Sequence, residues 1–276
     1  MNRPAWPALD TAIATLRASP GLRTGSLIVT LYGDAILPRG GALAVSDLLR
    51  LMHRFALSDS VVRTALSRLA AEGTLIAARH GRRSAYALTP RAEAQFRAAI
   101  PCIYGPLCPP WDGDFHLAFP EPGADRTPLD QAGFALLAPG VLIAPVTAST
   151  MPTLRANGSP ALMRELAARA WSLEDIRARY TSFIATFTPL DGAAALSPVD
   201  AIAARTLLIH AWRRIALRDP HLPAPLLPPG WPGQTARMLC AAIDAALDPF
   251  CEAWLDTASS GRSPLARPLP PMSRFI

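Results

Sequence analysis

The chain contains no lysine: all 27 of its basic residues are arginine. A Walker loop needs a Lys beside the phosphates, and Schiff-base or pyridoxal chemistry needs a Lys amine, so these enzyme classes are excluded. Cysteine is scarce as well. Cys102, Cys108, Cys240 and Cys251 show no C-x-x-C spacing, and no His pair complements them as zinc ligands. They are expected to be reduced and mostly buried, with no metal. GxSxG, HExxH and dinucleotide-binding fingerprints are missing too. No apolar run reaches the roughly 18 residues of a membrane span. The best stretch, 133–148, is broken by Pro139, Gly140 and Pro145. The opening MNRPAWPALD lacks the basic-then-apolar layout of a signal peptide, so a cytoplasmic protein is expected.

What is present is apolar mass and a lopsided charge. Half of the 276 residues are hydrophobic, enough for a real core and for two or three domains. Residues 1–100 carry 13 Arg against 6 acids, a net of +7; residues 101–276 carry 14 Arg against 15 acids, a net of −1. A polyanion would meet the first part, and nucleic acid is the commonest such partner.

Apolar spacing predicts helices over 8–18, 26–36, 42–56 and 58–73. In the last of these, Ser58 is a plausible N-cap and Gly73 a stop. Val62, Ala65, Leu66 and Leu69 form one stripe; Ser60, Arg63, Thr64, Ser67 and Arg68 form the opposite one. Two apolar runs, 75–78 and 85–88, then flank His80-Gly81-Arg82-Arg83, the pattern of a hairpin with Arg79, His80, Arg82 and Arg83 at its tip and approach. Helix, helix, polar-faced helix and basic hairpin is the order of a winged helix-turn-helix. A helix over 90–99 follows, then a Pro-rich linker, 101–110. Trp111, Phe115, Leu117 and Phe119 alternate as in a strand, and 133–146 reads as two short buried strands around Pro139-Gly140. Hydroxyl-to-acid capping patterns at Ser172–Asp175 and Ser197–Asp200 open helices near 173–186 and 198–217. A proline-rich loop, 219–233, precedes a last helix, 234–255, with Met238, Leu239, Ile243, Leu247 and Trp254 as its apolar face. The tail from Ser259 is expected to be loose.

Taken together, GSLIVTLYGDAILPRGG (25–41), SVVRTALSRLAAEG (60–73), GRRSAYALTP (81–90), WDGDFHLAF (111–119), APGVLIAP (138–145), WSLEDIRARYTSFIATFTPL (171–190) and LLIHAWRRIALRDPHLPAPLLPPGWPG (207–233) resemble the PaaX-type repressors of phenylacetate degradation. The resemblance implies an α+β protein in three parts: a winged helix-turn-helix domain (1–100), a linker with a small ferredoxin-like unit related to CRISPR-associated ribonuclease folds (101–150), and a helical C-terminal effector and dimerisation domain (151–276). It further implies a homodimeric repressor on a double-stranded DNA operator. Release would be by an aryl-acetyl-CoA such as phenylacetyl-CoA, or by another acyl-CoA, with no cofactor and no membrane partner. Residues 120–133 are short for the helix such a unit has between its first two strands.

Candidate residues follow. Ser60, Arg63, Thr64, Ser67 and Arg68 are placed to reach base edges and phosphates, against the plainer reading of a solvated or protein-binding face. Arg79, His80, Arg82 and Arg83 suit phosphate or minor-groove contact, against mere solubility of a hairpin tip. His210, Trp212, Arg213, Arg214 and Trp231 offer cations and an apolar slot to an acyl-CoA effector. Successive helix residues do not share a face, so a core Trp with structurally paired Arg is the competing reading. Asp112 and Asp114 could support metal-assisted nuclease chemistry in the middle unit, though an Asp-Gly turn explains them more simply. The chain is read as a regulator rather than an enzyme, with a nuclease or a non-specific DNA-binding protein as the alternatives.

Overall fold

The computed structural model describes residues 6–18, 22–80, 83–105, 111–145, 152–192, 196–260, 263–266 and 274–275, and only the backbone of 78–80 and 83. The chain is α+β. Ten α-helices and two small antiparallel sheets are found among the described residues. They form two compact units: one of residues 1–105, 182–217 and 235–276, the other of 106–181 and 218–234. These do not follow the three consecutive segments expected from the sequence. Most of the C-terminal helical region packs with the first hundred residues, because its apolar surfaces find their partners there rather than among themselves.

In the first unit, α1 (Pro7–Ala18) and α2 (Thr24–Leu31) precede a π-helical turn over 32–36. A left-handed Gly40 (φ 94°) then turns the chain into β1 (Ala42–Ala44). The helix expected over 42–56 therefore starts later, as α3 (Val45–Met52). Residues 42–44 pair instead with β3, a long-range partner that local periodicity does not reveal. α4 (Asp59–Ala71), β2 (Leu75–His80) and β3 (Arg83–Leu88) follow, and the sheet order is β1-β3-β2. α2 packs against α4, with the Arg68 guanidinium lying over Gly25, 2.8 Å from where a Cβ would sit.

α5 (Pro90–Tyr104) runs through Pro101 into the segment expected to be linker. Thr89 caps it by accepting the Ala92 N–H at 3.2 Å. α9 (Pro198–Ala216) is the core of the unit. Every residue from Asp200 to His210 is buried, since α9 is covered by α1, α2, α3 and α5. α10 (Gly233–Thr257) buries Ala236, Cys240, Ile243, Leu247 and Trp254 but leaves Met238 61% exposed, against expectation. Nor is the tail beyond Ser259 free where it is described. The Ser259 carbonyl accepts from Ala44 N at 2.7 Å, its N–H donates to Asp47, and Leu265 is buried.

The second unit holds β4 (Phe115–Ala118), the five-residue α6 (Thr127–Gln131), β5 (Ala135–Ala138), β6 (Val141–Ala144), β7 (Leu154–Ala156) and α7 (Pro160–Ala170). α8 (Leu173–Phe187) falls across the bounds of both units. The sheet order is β5-β6-β4-β7, all antiparallel. Strand alternation covers both faces. Phe115 and Ile143 pack with Met163 and Ala167 on one side, while Ala118, Leu142 and Ala144 pack with Leu129 and Phe134 on the other. Phe119, expected inward, lies past the strand end and is exposed.

Candidate functional site

The approach to α4 is a sharp turn. α3 ends in a single 3-10 turn, 53–55, and Ala56 takes the left-handed conformation (φ 53°), unusual for a residue with a Cβ. Ser58 is extended and opens α4, with its hydroxyl 3.1 Å from that of Ser60. Val62, Ala65, Leu66 and Leu69 are buried, and Ser60, Arg63, Thr64, Ser67 and Arg68 are all exposed, as the periodicity predicted.

The five exposed residues are not equivalent. Thr64 donates its hydroxyl to the Ser60 carbonyl at 2.9 Å, leaving its oxygen to accept only. Arg68 lies 3.4 Å from Glu72, one turn on, and beside Gly25 of α2, so part of its charge is met within the protein. Arg63 makes no ion pair among the described residues, which leaves its five donors facing solvent. Val61, on the first turn, is 45% exposed and adds an apolar contact to the face. It belonged to neither stripe of the sequence pattern, and only its exposure marks it. Asp59 meets His53 at 2.6 Å at the same end.

The hairpin beside α4 is in register, with Arg79 opposite Ser84 and His80 opposite Arg83. Gly81 and Arg82, and the side chains of Arg79, His80 and Arg83, lie outside the described residues.

Of the other arginines of the first hundred residues, Arg39 and Arg54 serve the interior, while the exposed Arg50 and Arg97 meet acids on their own helices. Arg39 is buried and pairs with Glu252 and with Asp256 at 3.0 Å. Arg54 pairs with Asp200 and with Asp10 at 2.7 Å. Arg50 pairs with Asp47 and Arg97 with Glu93. The +7 surplus is thus partly neutralised by acids from the other end of the chain.

The expected effector cluster does not assemble as a set. His210 is buried, with Nδ1 3.0 Å from the Thr30 hydroxyl. Trp212 is a core residue whose Nε1 donates to the Ile103 carbonyl at 2.7 Å. Arg213 donates to the Thr30 hydroxyl at 2.7 Å and to Ser26, and its pKa is lowered by burial and by Arg214. Arg214 is half-buried. His210 and Arg213 hold α9 to α2 and Trp212 holds it to α5, and adjacent residues on one helix necessarily point apart. Trp231 belongs to the other unit. There it lines a pocket of about 460 Å³ with Asp219, His221, Leu222, Leu227 and Gln234. Its ring lies edge-on to Tyr180, and the Arg177 guanidinium sits 5.7 Å from its centroid. From the sequence Trp231 was an effector candidate, while the rest of this lining read only as a proline-rich loop.

Asp112 and Asp114 are bound to one cation. Arg155 donates to Asp112 at 2.9 Å and to Asp114 at 2.7 Å, and Asp112 accepts the Asp114 N–H across a turn at Gly113 (φ 96°). This is the turn chemistry of an Asp-Gly pair, and no cluster of potential metal ligands is found among the described residues. None of the helices described is long and apolar enough to cross a membrane.

Comparison with known proteins gives consistent relatives. The PaaX-like protein family model matches residues 23–92, and the PaaX-like protein C-terminal domain model matches 171–257. The chain is 35% identical over 265 residues to the transcriptional repressor PaaX of Escherichia coli (strain K12), an alignment covering 85% of this chain and 84% of that protein. Among solved structures it is similar to the uncharacterized protein Rv0674 from Mycobacterium tuberculosis, with a TM-score of 0.50 and 23% identity over 76% of this chain and 90% of the other. That second likeness is one of fold alone.

Proposed function

The chain belongs to the PaaX family, and from that premise we propose that it is a sequence-specific DNA-binding repressor of an aromatic, phenylacetate-type catabolic operon. The observation that carries this reading is the exposed face of α4, where Arg63 stands without an internal partner among hydroxyls. We read α2, α3, α4 and the β1-β3-β2 sheet as a winged helix-turn-helix, with α4 entering the major groove and the β2–β3 hairpin lying along the backbone. Arg63 then reads a guanine edge. Ser60, Thr64, Ser67 and Val61 complete the contact, while Arg68, Arg79, His80, Arg82 and Arg83 meet phosphates. A homodimer on two related half-sites is the arrangement expected of such a reader.

The strand order of the second unit supports a ferredoxin-like reading, with a first helix of only five residues and, among the described residues, a second helix after β7 rather than between β6 and β7. For the effector, an acyl-CoA with an aryl group, the Trp231 pocket replaces the α9 cluster. It offers an apolar wall of Trp231, Leu222 and Leu227, with Arg177 stacked behind. The chemistry asked of the protein is linkage. DNA and effector favour different states of the dimer, and reversing a 99:1 population takes about 5.5 kcal/mol of differential affinity. Nothing in this scheme calls for a bond to be made or broken.

Selection of bound fragments from random DNA is the direct test. Wild type should enrich a sequence with two related half-sites, and Arg63→Ala should bind DNA without enriching it. Repetition with phenylacetyl-CoA should empty the wild-type selection but not that of Trp231→Ala. Absence of any enriched sequence for wild type would sink the repressor reading; an unchanged effector response in Trp231→Ala would move the effector site elsewhere.

A further inference from the structure

The last described residues, Arg274 and Phe275, sit in the first unit as a ligand would. Arg274 is nearly buried. Its Nη2 donates to the Asp34 backbone carbonyl at 2.8 Å and lies 3.2 Å from that residue's carboxylate; its Nη1 lies 3.8 Å from Asp244 and 3.9 Å from Asp248. The guanidinium also stacks 5.7 Å over the Tyr104 ring. Beside it, the Phe275 ring meets Tyr104 edge-on at 5.3 Å and Trp212 at 6.1 Å, with Arg237 5.7 Å above it. The receiving groups come from four separate places: Asp34 from the π-helical turn, Tyr104 from α5, Trp212 from α9, and Asp244 and Asp248 from α10.

Two features mark this as a built slot rather than chance contact. The first is charge. Asp34 and Asp244 are both more than nine-tenths buried, and with Asp248 they outnumber the one internal cation, Arg205, which lies 3.1–3.3 Å from all three. The Asp244 Oδ1 atom accepts no hydrogen bond among the described residues. The cluster thus has room for a second cation, and Arg274 brings one within 3.2–3.9 Å of the three carboxylates. The other is conformation. Phe275 takes φ 58°, a left-handed backbone that a residue with a bulky side chain adopts only when its surroundings hold it there.

We propose that Arg274–Phe275 is a tethered, exchangeable occupant of this acid-and-aromatic slot, and that the slot binds a free ligand of the same chemistry, one guanidinium or ammonium group joined to one phenyl ring. The Arg205, Asp34 and Tyr104 positions are fixed by the core, so the slot stays formed when the tail leaves; Tyr104 Oη donates to Asp34 at 2.6 Å independently of Arg274. The slot lies in the unit that carries α4, and Asp34 directly continues α2, the helix packed on α4 through Gly25. The inference does not rest on the DNA reading, since each contact it uses is internal to the unit.

The test compares the full chain with a chain ending at Ser273. N-acetyl-Arg-Phe-amide is the probe and N-acetyl-Ala-Ala-amide the control, and binding is followed by calorimetry and by the melting temperature. The shortened chain should bind the probe at least tenfold more tightly than the control and regain lost melting temperature with it, while the full chain shows no such preference. The double variant Arg274→Ala, Phe275→Ala in the full-length chain should behave like the shortened one. Equal weak binding of probe and control by both altered chains would overturn the proposal. So would an altered chain that stays unfolded and is not rescued by the probe, or a full chain that binds the probe as tightly as the shortened one.

Discussion

Arg63 on α4 and Arg205 on α9 carry the same guanidinium in the same compact unit and meet opposite surroundings. Arg63 projects into solvent with no ion pair among the described residues. Arg205 has 1% of its side chain exposed and answers three carboxylates; burial works against its charge, but Asp34 and Asp244 outweigh that and raise its pKa well above the ordinary value. One is available to a partner because nothing inside the protein needs it. The other is unavailable because removing it would strand buried charges. In a chain whose only basic residue is Arg, residue type alone cannot separate the two roles; the number of internal acids within reach does.

Removing each arginine in turn should separate the two roles. Arg205→Ala leaves Asp34 and Asp244 buried against a single remaining cation. Loss of one partner from a buried pair costs about 3–5 kcal/mol, so urea denaturation should show a much lowered midpoint. Stability unchanged within about 0.5 kcal/mol would mean that the cluster is not the electrostatic core it is taken to be.

Arg63→Ala should do the reverse. Its thermal midpoint should stay near wild type, while discrimination between the selected operator and random DNA falls by about 1–3 kcal/mol in competition titrations.

The acids around Arg205 also make the buried cluster sensitive to pH. Burial is the main cause that pushes the Asp244 carboxyl up to about 7 from its ordinary 3.8, with Arg205 opposing and with Asp34 and Asp248 adding to the rise. The folded state therefore holds this proton more tightly than the unfolded chain, so Asp244 lowers stability progressively as pH rises from 3.8 to about 7. Asp244→Asn cannot lose the proton. Its stability relative to wild type should rise between about pH 4 and pH 7 in parallel denaturation series, and a constant difference across that range would contradict the assignment.

The smallest effect belongs to the hairpin. Arg82→Ala should weaken binding to every sequence alike and flatten the log–log salt dependence by about one unit. A change in sequence preference instead would make Arg82 a base reader and would blur the division between α4 and its neighbour.

Much of the local structure was legible. The stripe of α4, the β2–β3 pairing, the Ser197 cap and the final helix follow from spacing of a few residues, and each is a short-range consequence of side-chain periodicity and capping chemistry. Ser197, for example, accepts the Asp200 N–H at 3.2 Å, as a hydroxyl three residues before an acid should. The elements misread were those whose state depends on a distant partner. Residues 42–44 are a strand because β3 lies beside them, and the segment after Ser259 is held by Ala44 and Asp47. The candidate sites divided the same way. The exposure of the α4 face followed from its pattern, and Trp231 was named as a candidate without the pocket around it, whereas the α9 cluster turned out to be core because α9 is covered by four helices.

The amino-acid order alone settled which faces of which helices are polar, that lysine-dependent chemistries are absent, and where positive charge is densest along the chain. Only the tertiary structure decided which of those charges are free. Among the acids that answer Arg39, Arg54 and Arg205, Asp256, Asp200 and Asp34 lie 217, 146 and 171 residues away along the chain. Electrostatic pairing acts over a few ångströms of space and takes no account of distance in sequence.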